Sequence, residues 1–372
     1  MTKGGPMTHK DILAPGTPSL GFGAMRMPDI SKATKMVDTY MESGYNYFDT
    51  AHAYAGSEEL LNKTLVSRHS RDSYMIANKL PPWSITKPKD CEDLLQESLK
   101  RCGLDYFDFY LVHSITDARE QHIEDIGMFE FVLEAKKRGL VKHAGFSFHG
   151  STQYLERILN RHPAMEFVQL QLNYVDILRG PAGEWQALAL RHNKPIIVME
   201  PIKGGTLASL PSAAEALLKA HDPNRSIASW AMQYAATLEG VTSILSGMTS
   251  LDEVQDNLKT FRNVKPLTPE ENALLENILE EMGKISDIAC TGCKYCHEHC
   301  PQGIDIATCF ALYNEIKRGD NKYDWNRKMM YATMAPEKKA DKCIDCCICI
   351  EHCPQNINIP AGLQDVDEVL KG

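Results

Sequence analysis

The chain has no apolar run near the length of about 20 residues that a membrane helix needs, so no membrane association is expected. Its start, Met1 to Leu20, is polar and rich in glycine and proline, without the apolar stretch of a secretory signal. Basic charge is outnumbered: 40 Lys and Arg stand against 49 Asp and Glu, giving a net charge of −9. That balance argues against a nucleic-acid partner. A Gly-rich phosphate loop of the Rossmann kind is missing, and nothing reads as a flavin site. Outside two dense runs, cysteine is limited to Cys91, Cys102, Cys309 and Cys347, with no further C-x-x-C redox pair. Free thiols fit a reducing cytoplasm, the expected localisation. A chain of 372 residues with 43% hydrophobic and 24% charged content has the size of two ordinary globular domains.

The two dense runs share one spacing, C-x2-C-x2-C-x3-C-P. The first holds Cys290, Cys293, Cys296 and Cys300; the second holds Cys343, Cys346, Cys349 and Cys353. Each closes on E-H-C-P-Q-x-I-x-I, and the copies lie 53 residues apart. Cysteines at every third position of a tight loop aim several thiolates at one small volume, as an iron–sulfur cluster requires. The same loop points backbone N–H groups at sulfur, and the proline after the fourth cysteine stops direct continuation into a helix. Zinc competes, but structural zinc ribbons favour separated C-x2-C pairs. A disulfide framework also competes, but it suits small secreted domains. The runs resemble bacterial two-cluster ferredoxins, in which the fourth cysteine of each run ligates the other cluster. That resemblance implies two [4Fe–4S] clusters, one on Cys290, Cys293, Cys296 and Cys353, the other on Cys343, Cys346, Cys349 and Cys300. His297, His299 and His352 are then surplus as ligands, facing solvent or standing behind the ligands. Cys309 and Cys347 are expected as packing residues.

Upstream, strand-like apolar runs lie near Leu20–Met25, Tyr45–Asp49, Tyr74–Lys79, Phe107–His113, Val141–Ser147, Phe167–Gln171, Pro195–Met199 and Ile244–Gly247. Helical patterns separate most of them. Leu94, Leu95, Leu99 and Cys102 share one face, and Leu251, Val254, Leu258 and Phe261 share another. Gly44, Gly103 and Gly139 suit helix C-termini, and Ser31 and Ser250 suit N-caps. Eight strand–helix units in about 263 residues fit a (β/α)8 barrel. A barrel works at the C-terminal ends of its strands, which here read Asp49, Lys79, His113, Ser147, Gln169, Met199 and Gly247.

Phe48-Asp49-Thr50-Ala51, then Tyr54 and Ser57-Glu58, resembles the aldo-keto reductase signature D-T-A-x-x-Y-x-x-S-E. Ile76-Ala77-Asn78-Lys79 is similar to that family's lysine strand, and Tyr110-Leu111-Val112-His113 to its histidine strand. The resemblance covers roughly residues 12–285 and implies a catalytic tetrad of Asp49, Tyr54, Lys79 and His113. Carbonyl reduction needs a hydride on carbon and a proton on oxygen. Tyr54 would give the proton, Lys79 would lower its pKa from roughly 10, Asp49 would hold Lys79, and His113 would orient the substrate oxygen. The resemblance also implies that Ser147 and Gln169 hold the nicotinamide amide, with Gln171 the alternative to Gln169. It places Ser246, Gly247 and Asn257 at the adenine end of NAD(P)H.

The chain departs from the family at two points. Met199, followed by Glu200, stands where many members stack a tyrosine on the nicotinamide. The segment Gly247 to Asn257 carries Asp252, Glu253 and Asp256 and no Lys or Arg, whereas members selective for NADP grip its 2′-phosphate with cations there. Arg26 is an extra cation near the mouth, either a phosphate or carboxylate binder or an exposed loop residue. Thr268 opens a helix to about Gly283, and another is expected from Ala307 to Arg318. The stretch Asn321 to Met334, with Tyr323, Trp325, Met329, Met330 and Tyr331, is expected to pack on the barrel.

The expected architecture is α/β: a (β/α)8 TIM barrel over residues 1–285, then a small α+β ferredoxin-like two-cluster domain over 286–372. The expected function is an oxidoreductase that reduces a small-molecule carbonyl, or oxidises an alcohol, with NAD(P)H, while the clusters exchange electrons with a carrier protein. The alternative is an ordinary carbonyl reductase or nicotinamide-state sensor whose cluster part is a structural, docking or redox-sensing module. Nicotinamide moves two electrons together and each cluster moves one, a mismatch both readings must meet.

Overall fold

A computed structural model describes residues 13, 16–285, 287–319 and 324–371. Most of the N-terminal stretch read above, and Tyr323, lie outside them. Eight parallel strands close a barrel in sequence order, β1 (Leu20–Gly23), β2 (Tyr47–Asp49), β3 (Met75–Leu80), β4 (Phe107–Ile115), β5 (Val141–Phe148), β6 (Phe167–Gln171), β7 (Ile196–Met199) and β8 (Val241–Gly247). The last pairs with the first, Phe22 opposite Ser246 and Gly23 opposite Gly247. All eight expected strands are present, and all nine residues of β4 are buried. Closure explains this burial, since both faces of a parallel barrel strand are covered.

Aromatic and branched side chains fill the interior: Tyr47, Phe109, Leu111, Phe167, Ile197 and Leu245. The Phe167 ring fits because Gly145 on the neighbouring strand has no side chain; a Cβ there would sit 2.4 Å from the ring. Such layers make the barrel a packed core and leave its chemistry to the strand ends.

Helices follow the strands. Among them α1 (Ile30–Glu42) follows β1, α2 (Pro88–Cys102) follows β3 and α3 (Leu251–Phe261) follows β8. Asp29, not Ser31, caps α1, its carboxylate accepting from the backbones of Ser31 and Lys32. One carboxylate oxygen placed just before the first turn reaches both N–H groups, whereas Ser31 already lies inside it. Ser250 caps α3 as expected, and Gly103 closes α2 in the left-handed conformation.

The chain groups into two compact units, residues 1–201 with 231–266, and residues 202–230 with 267–372. This grouping divides the chain elsewhere than at the expected border of 285. The second unit holds α4 (Pro269–Gly283), α5 (Ile306–Arg318), α6 (Asp324–Thr333) and α7 (Ile359–Leu370). Thr268 and Glu271 form a reciprocal cap at the start of α4. Around the cysteines the unit consists of helices and turns, with no strand among the described residues. The cysteine loops turn every few residues and leave no extended run to pair. Phe310, Leu312 and Tyr313 of α5 pack with Ile359, Leu363 and Val366 of α7. On α6 only Tyr331 is buried; Trp325, Met329 and Met330 are exposed rather than packed. The Tyr331 hydroxyl accepts from the Ala340 backbone at 3.0 Å, which fixes that edge inward.

Candidate active site and metal centre

The C-terminal strand ends bring the expected tetrad together. Lys79, at the end of β3, is fully buried. Its Nζ donates to Asp49 Oδ1 at 2.5 Å, to the Thr50 carbonyl at 2.8 Å and to Tyr54 Oη at 3.3 Å. The three acceptors use the three ammonium protons, so the amine has one orientation. Burial pushes the Lys79 pKa down and the Asp49 pKa up, each opposed by the other's charge. Gln169 holds the second Asp49 oxygen through Nε2 at 3.3 Å.

Tyr54 sits on the loop after β2, which is pinned on both sides. Thr50 and Ser57 share a hydrogen bond of 2.7 Å, and Ser57 donates to the Ala24 carbonyl at 3.0 Å. Behind Lys79, Asn78 accepts from the Lys79 backbone at 2.7 Å and donates to the buried Glu58 at 2.7 Å. The serine and glutamate of the signature therefore shape the loop and strand and do not face the reacting centre.

His113 stands where β4 is irregular, between Val112 and Ile115. Ser114 there has φ 49 and donates its backbone N–H to Ser147 Oγ at 2.7 Å. Such an irregularity re-aims one side chain, here His113, whose ring lies edge-on to Tyr54 at 5.7 Å. Burial, and then the Lys79 charge, hold the His113 pKa far below the usual histidine range, so the ring is neutral. Trp83 was missed in sequence. Its ring lies 5.2 Å from His113, with the Arg119 guanidinium 4.9 Å from its centre. Its one sequence signal is a tryptophan four residues past the lysine.

The expected nicotinamide contacts spread around the same strand ends. Ser147 pairs across β5 and β6 with Gln169, and Gln171 pairs with Met199. Gln171 donates to Asp176 at 2.7 Å, so Gln169 and Gln171 have different partners. Met199 is half-buried, and Glu200 after it has φ 54. Ser246 accepts from Asn257 at 2.8 Å, which ties β8 to α3. Gly247 is exposed with open space where a Cβ would be, a cradle that admits a cofactor. Glu253 accepts from the Thr249 backbone at 2.6 Å, so its carboxylate is held at the start of α3.

The two cysteine runs share conformation as well as sequence. Gly292 and Asp345, Lys294 and Cys347, and Gly303 and Asn356 all have positive φ, each pair separated by the 53-residue repeat. Left-handed residues at matched points give both loops the same turns. Burial and then the neighbouring thiols of Cys293, Cys290 and Cys353 raise the Cys296 pKa. Burial and then Cys343 and Cys346 raise that of Cys349 to about 11, with Cys300 also near. A cavity is lined by Cys300, Cys343, Cys346, Cys347 and Cys349 together with Ile304, Ile344 and Leu363. Among the described residues no three acidic, His or Cys side chains draw close enough for a single metal ion. Five thiols line that cavity, more than the four ligands a tetrahedral zinc takes. The Gly292 N–H donates to Cys290 Sγ at 3.4 Å, as sulfur tuning requires.

The remaining residues find other places. His299 and His352, also one repeat apart, stack with ring centres 3.4 Å apart. His297 accepts from the Ala307 backbone at 3.1 Å and so caps α5 rather than facing solvent. Cys309 is buried in the core as expected. Cys347 is exposed, with a left-handed backbone, and lines the same cavity as Cys346 and Cys349 rather than packing in the core.

The sequence pattern of the aldo/keto reductase family matches residues 16–280, and that of a 4Fe-4S dicluster domain matches residues 289–357. An aldo-keto reductase of Mycolicibacterium vanbaalenii is 27% identical over 269 residues, 71% of this chain and 88% of its own. The holo form of an aldo-keto reductase from Bacillus halodurans superposes with a TM-score of 0.59 at 25% identity, over 70% of this chain and 91% of its own. An aldo/keto reductase of Klebsiella pneumoniae, solved with NADP and acetate, has a TM-score of 0.60 at 20% identity, over 70% and 91%, and supports the fold. Among the described residues no helix is long and apolar enough to cross a membrane.

Proposed function

We propose, from the premise that the chain belongs to the aldo/keto reductase family, that its barrel reduces a small-molecule carbonyl, or oxidises the corresponding alcohol, with NAD(P)H. The carrying observation is the Lys79 ammonium, fixed between Asp49 and the Tyr54 hydroxyl. A cation 3.3 Å from a phenol favours the phenolate, so Tyr54 releases its proton more readily than a free tyrosine. Asp49 and the Thr50 carbonyl keep that cation in place as the proton leaves. Neutral His113, beside Tyr54, orients the substrate oxygen without adding a second positive charge. Trp83 supplies an apolar wall that excludes water from the reacting carbonyl. NAD(P)H, when bound, supplies the hydride; Ser147, Gln169, Met199, Ser246, Gly247 and Asn257 are the residues that would hold it.

The two functional domains are taken as residues 1–285 and 286–372, a border lying between the two family matches. In the second, Cys290, Cys293, Cys296 and Cys353 would hold one [4Fe–4S] cluster, and Cys343, Cys346, Cys349 and Cys300 the other. The thiol neighbours around Cys296 and Cys349 support this crossed arrangement. The clusters would exchange single electrons with a carrier protein in the cytoplasm.

The test is anaerobic turnover of the reconstituted protein with NADH or NADPH and a panel of carbonyls. Tyr54→Phe keeps the ring and loses only the proton. It is expected to bind nicotinamide normally and to lose carbonyl reduction by at least about 10²-fold. Full activity in that variant overturns the tetrad reading.

A further inference from the structure

The two cysteine loops match in sequence and in backbone turns, yet their surroundings differ. Thr291 in the first loop and Ile344 in the second occupy the same position of the repeat. Thr291 is 3% exposed and Ile344 59%. The cover over Thr291 is the segment Lys203–Ala208, of the same compact unit. Gly204, with φ +65, lies so close that a Cβ there would stand 2.4 Å from the Thr291 Cα. Arg318 anchors that cover, bonding Asp287 beside the first loop and Thr206 within the segment. The segment continues the chain directly from the end of β7, three residues after Glu200.

Among the described residues nothing comparable covers the second loop. Cys346 and Cys347 are exposed, and Ile344 and Ile348 flank them at 59% and 43% exposure. Among the described residues these are two of only seven large hydrophobic side chains that stand so open. Ile344 also borders the cysteine cavity, but it and Ile348 keep large exposed apolar areas on both sides of a thiol ligand, which cost solubility.

We propose that the second loop, residues 343–349, is the port of this protein: the Ile344–Ile348 face seats a small one-electron carrier protein. The first loop, covered at Thr291 by Lys203–Ala208, offers no matching apolar face. The inference rests on the cluster reading above and adds which loop meets the partner. A few exposed residues are too little for a stable homodimer, which buries about 1,600 Å² or more, but suit the small transient contacts of redox proteins. Cys343, Cys346, Cys349 and Cys300 would hold the centre that, when bound, accepts one electron from the reduced carrier in each encounter. The carrier is oxidised by one electron, and no proton or group moves.

The experiment uses the full reconstituted chain under anaerobic conditions, with iron content checked first. A reduced two-cluster bacterial ferredoxin is mixed rapidly with the wild type, with Ile344→Glu/Ile348→Glu, and with Met329→Glu/Met330→Glu on α6. Each protein is also reduced with dithionite, which is small enough to need no docking face. The expected result is a loss of about tenfold or more in the second-order rate with ferredoxin for the isoleucine variant alone, with dithionite rates and iron content unchanged. Three results overturn the proposal: no reduction of the wild type by ferredoxin, equal rates in both variants, or a loss confined to the α6 variant. A dimer dissociated by the isoleucine changes with electron transfer intact also overturns it, because the occupant is then a second copy. If dithionite leaves the wild type unbleached, the cluster reading itself fails, which separates the two failures.

Discussion

Replacing Lys79 by Met removes a buried cation and leaves its side-chain volume nearly filled. Asp49 is then a carboxylate with its side chain 5% exposed and its ion-pair partner gone. Breaking a buried pair in this way costs about 3–5 kcal/mol. Protonation sets a ceiling on that cost. Neutralising a carboxylate of ordinary pKa near 3.9 at pH 7 takes about 4 kcal/mol, and at pH 5 about 1.5 kcal/mol. Gln169 still donates to Asp49 and lowers the charged form somewhat. We therefore expect a loss of about 3–4 kcal/mol at pH 7 that shrinks to about 1.5 kcal/mol at pH 5. The sign follows from the direction of the shift. In the variant the folded-state pKa of Asp49 lies above its unfolded value. The folded form then binds more protons, and stability rises as pH falls toward 4. Adding Asp49→Asn removes the charge and should restore most of the loss at pH 7. Urea unfolding of wild type, Lys79→Met and the double variant at pH 7 and pH 5 measures all of this. A loss that is equal at the two pH values, or that Asp49→Asn does not relieve, refutes the reasoning. Turnover of Lys79→Met should fall by about 10²–10⁴-fold in every case, because Tyr54 loses its positive neighbour.

Cys347→Ser should leave about eight irons per chain, as two four-iron clusters require; loss of one cluster from this change would show that Cys347 is a ligand. NADH should bind at least as tightly as NADPH, since Glu253 is fixed at the start of α3 and a 2′-phosphate carries up to two negative charges there. Titration of both cofactors at one salt concentration decides it, and a preference for NADPH of about tenfold would mean that Lys259 or Arg262 reaches the phosphate. Glu166→Gln should cost about 2–3 kcal/mol at pH 7. Burial raises that carboxyl, but His143, Lys136 and the Ala144 N–H outweigh it and hold the pKa at about 2. The group's stabilisation is present above about pH 4.5 and lost as pH falls toward 2, so wild type and variant should converge in acid unfolding.

The sequence alone determined the barrel and nominated the residues proposed for its chemistry. Strands such as β3 and β4 are legible because a barrel buries both faces, which leaves unbroken apolar runs ending in Lys79 and His113. The proposed tetrad is legible because Asp49, Lys79 and His113 lie at or near strand ends and Tyr54 lies on the loop after β2, within the motifs that the family resemblance picks out. The cysteines are legible because a cluster needs thiols at a spacing that only a few residues of turn can provide. Tertiary structure decided what surrounds each of these. Pattern can nominate Ser31 as a cap, but the acceptor before the first turn, Asp29, wins by geometry. Identical repeats cannot say that Thr291 is covered and Ile344 is bare, because exposure depends on what packs from elsewhere in the chain. Nor can a motif show that Glu58 serves Asn78 and Arg101 while Gln169 serves Asp49. Those partners are brought together by barrel closure across 20 to 120 residues of sequence, a distance over which local pattern carries no information.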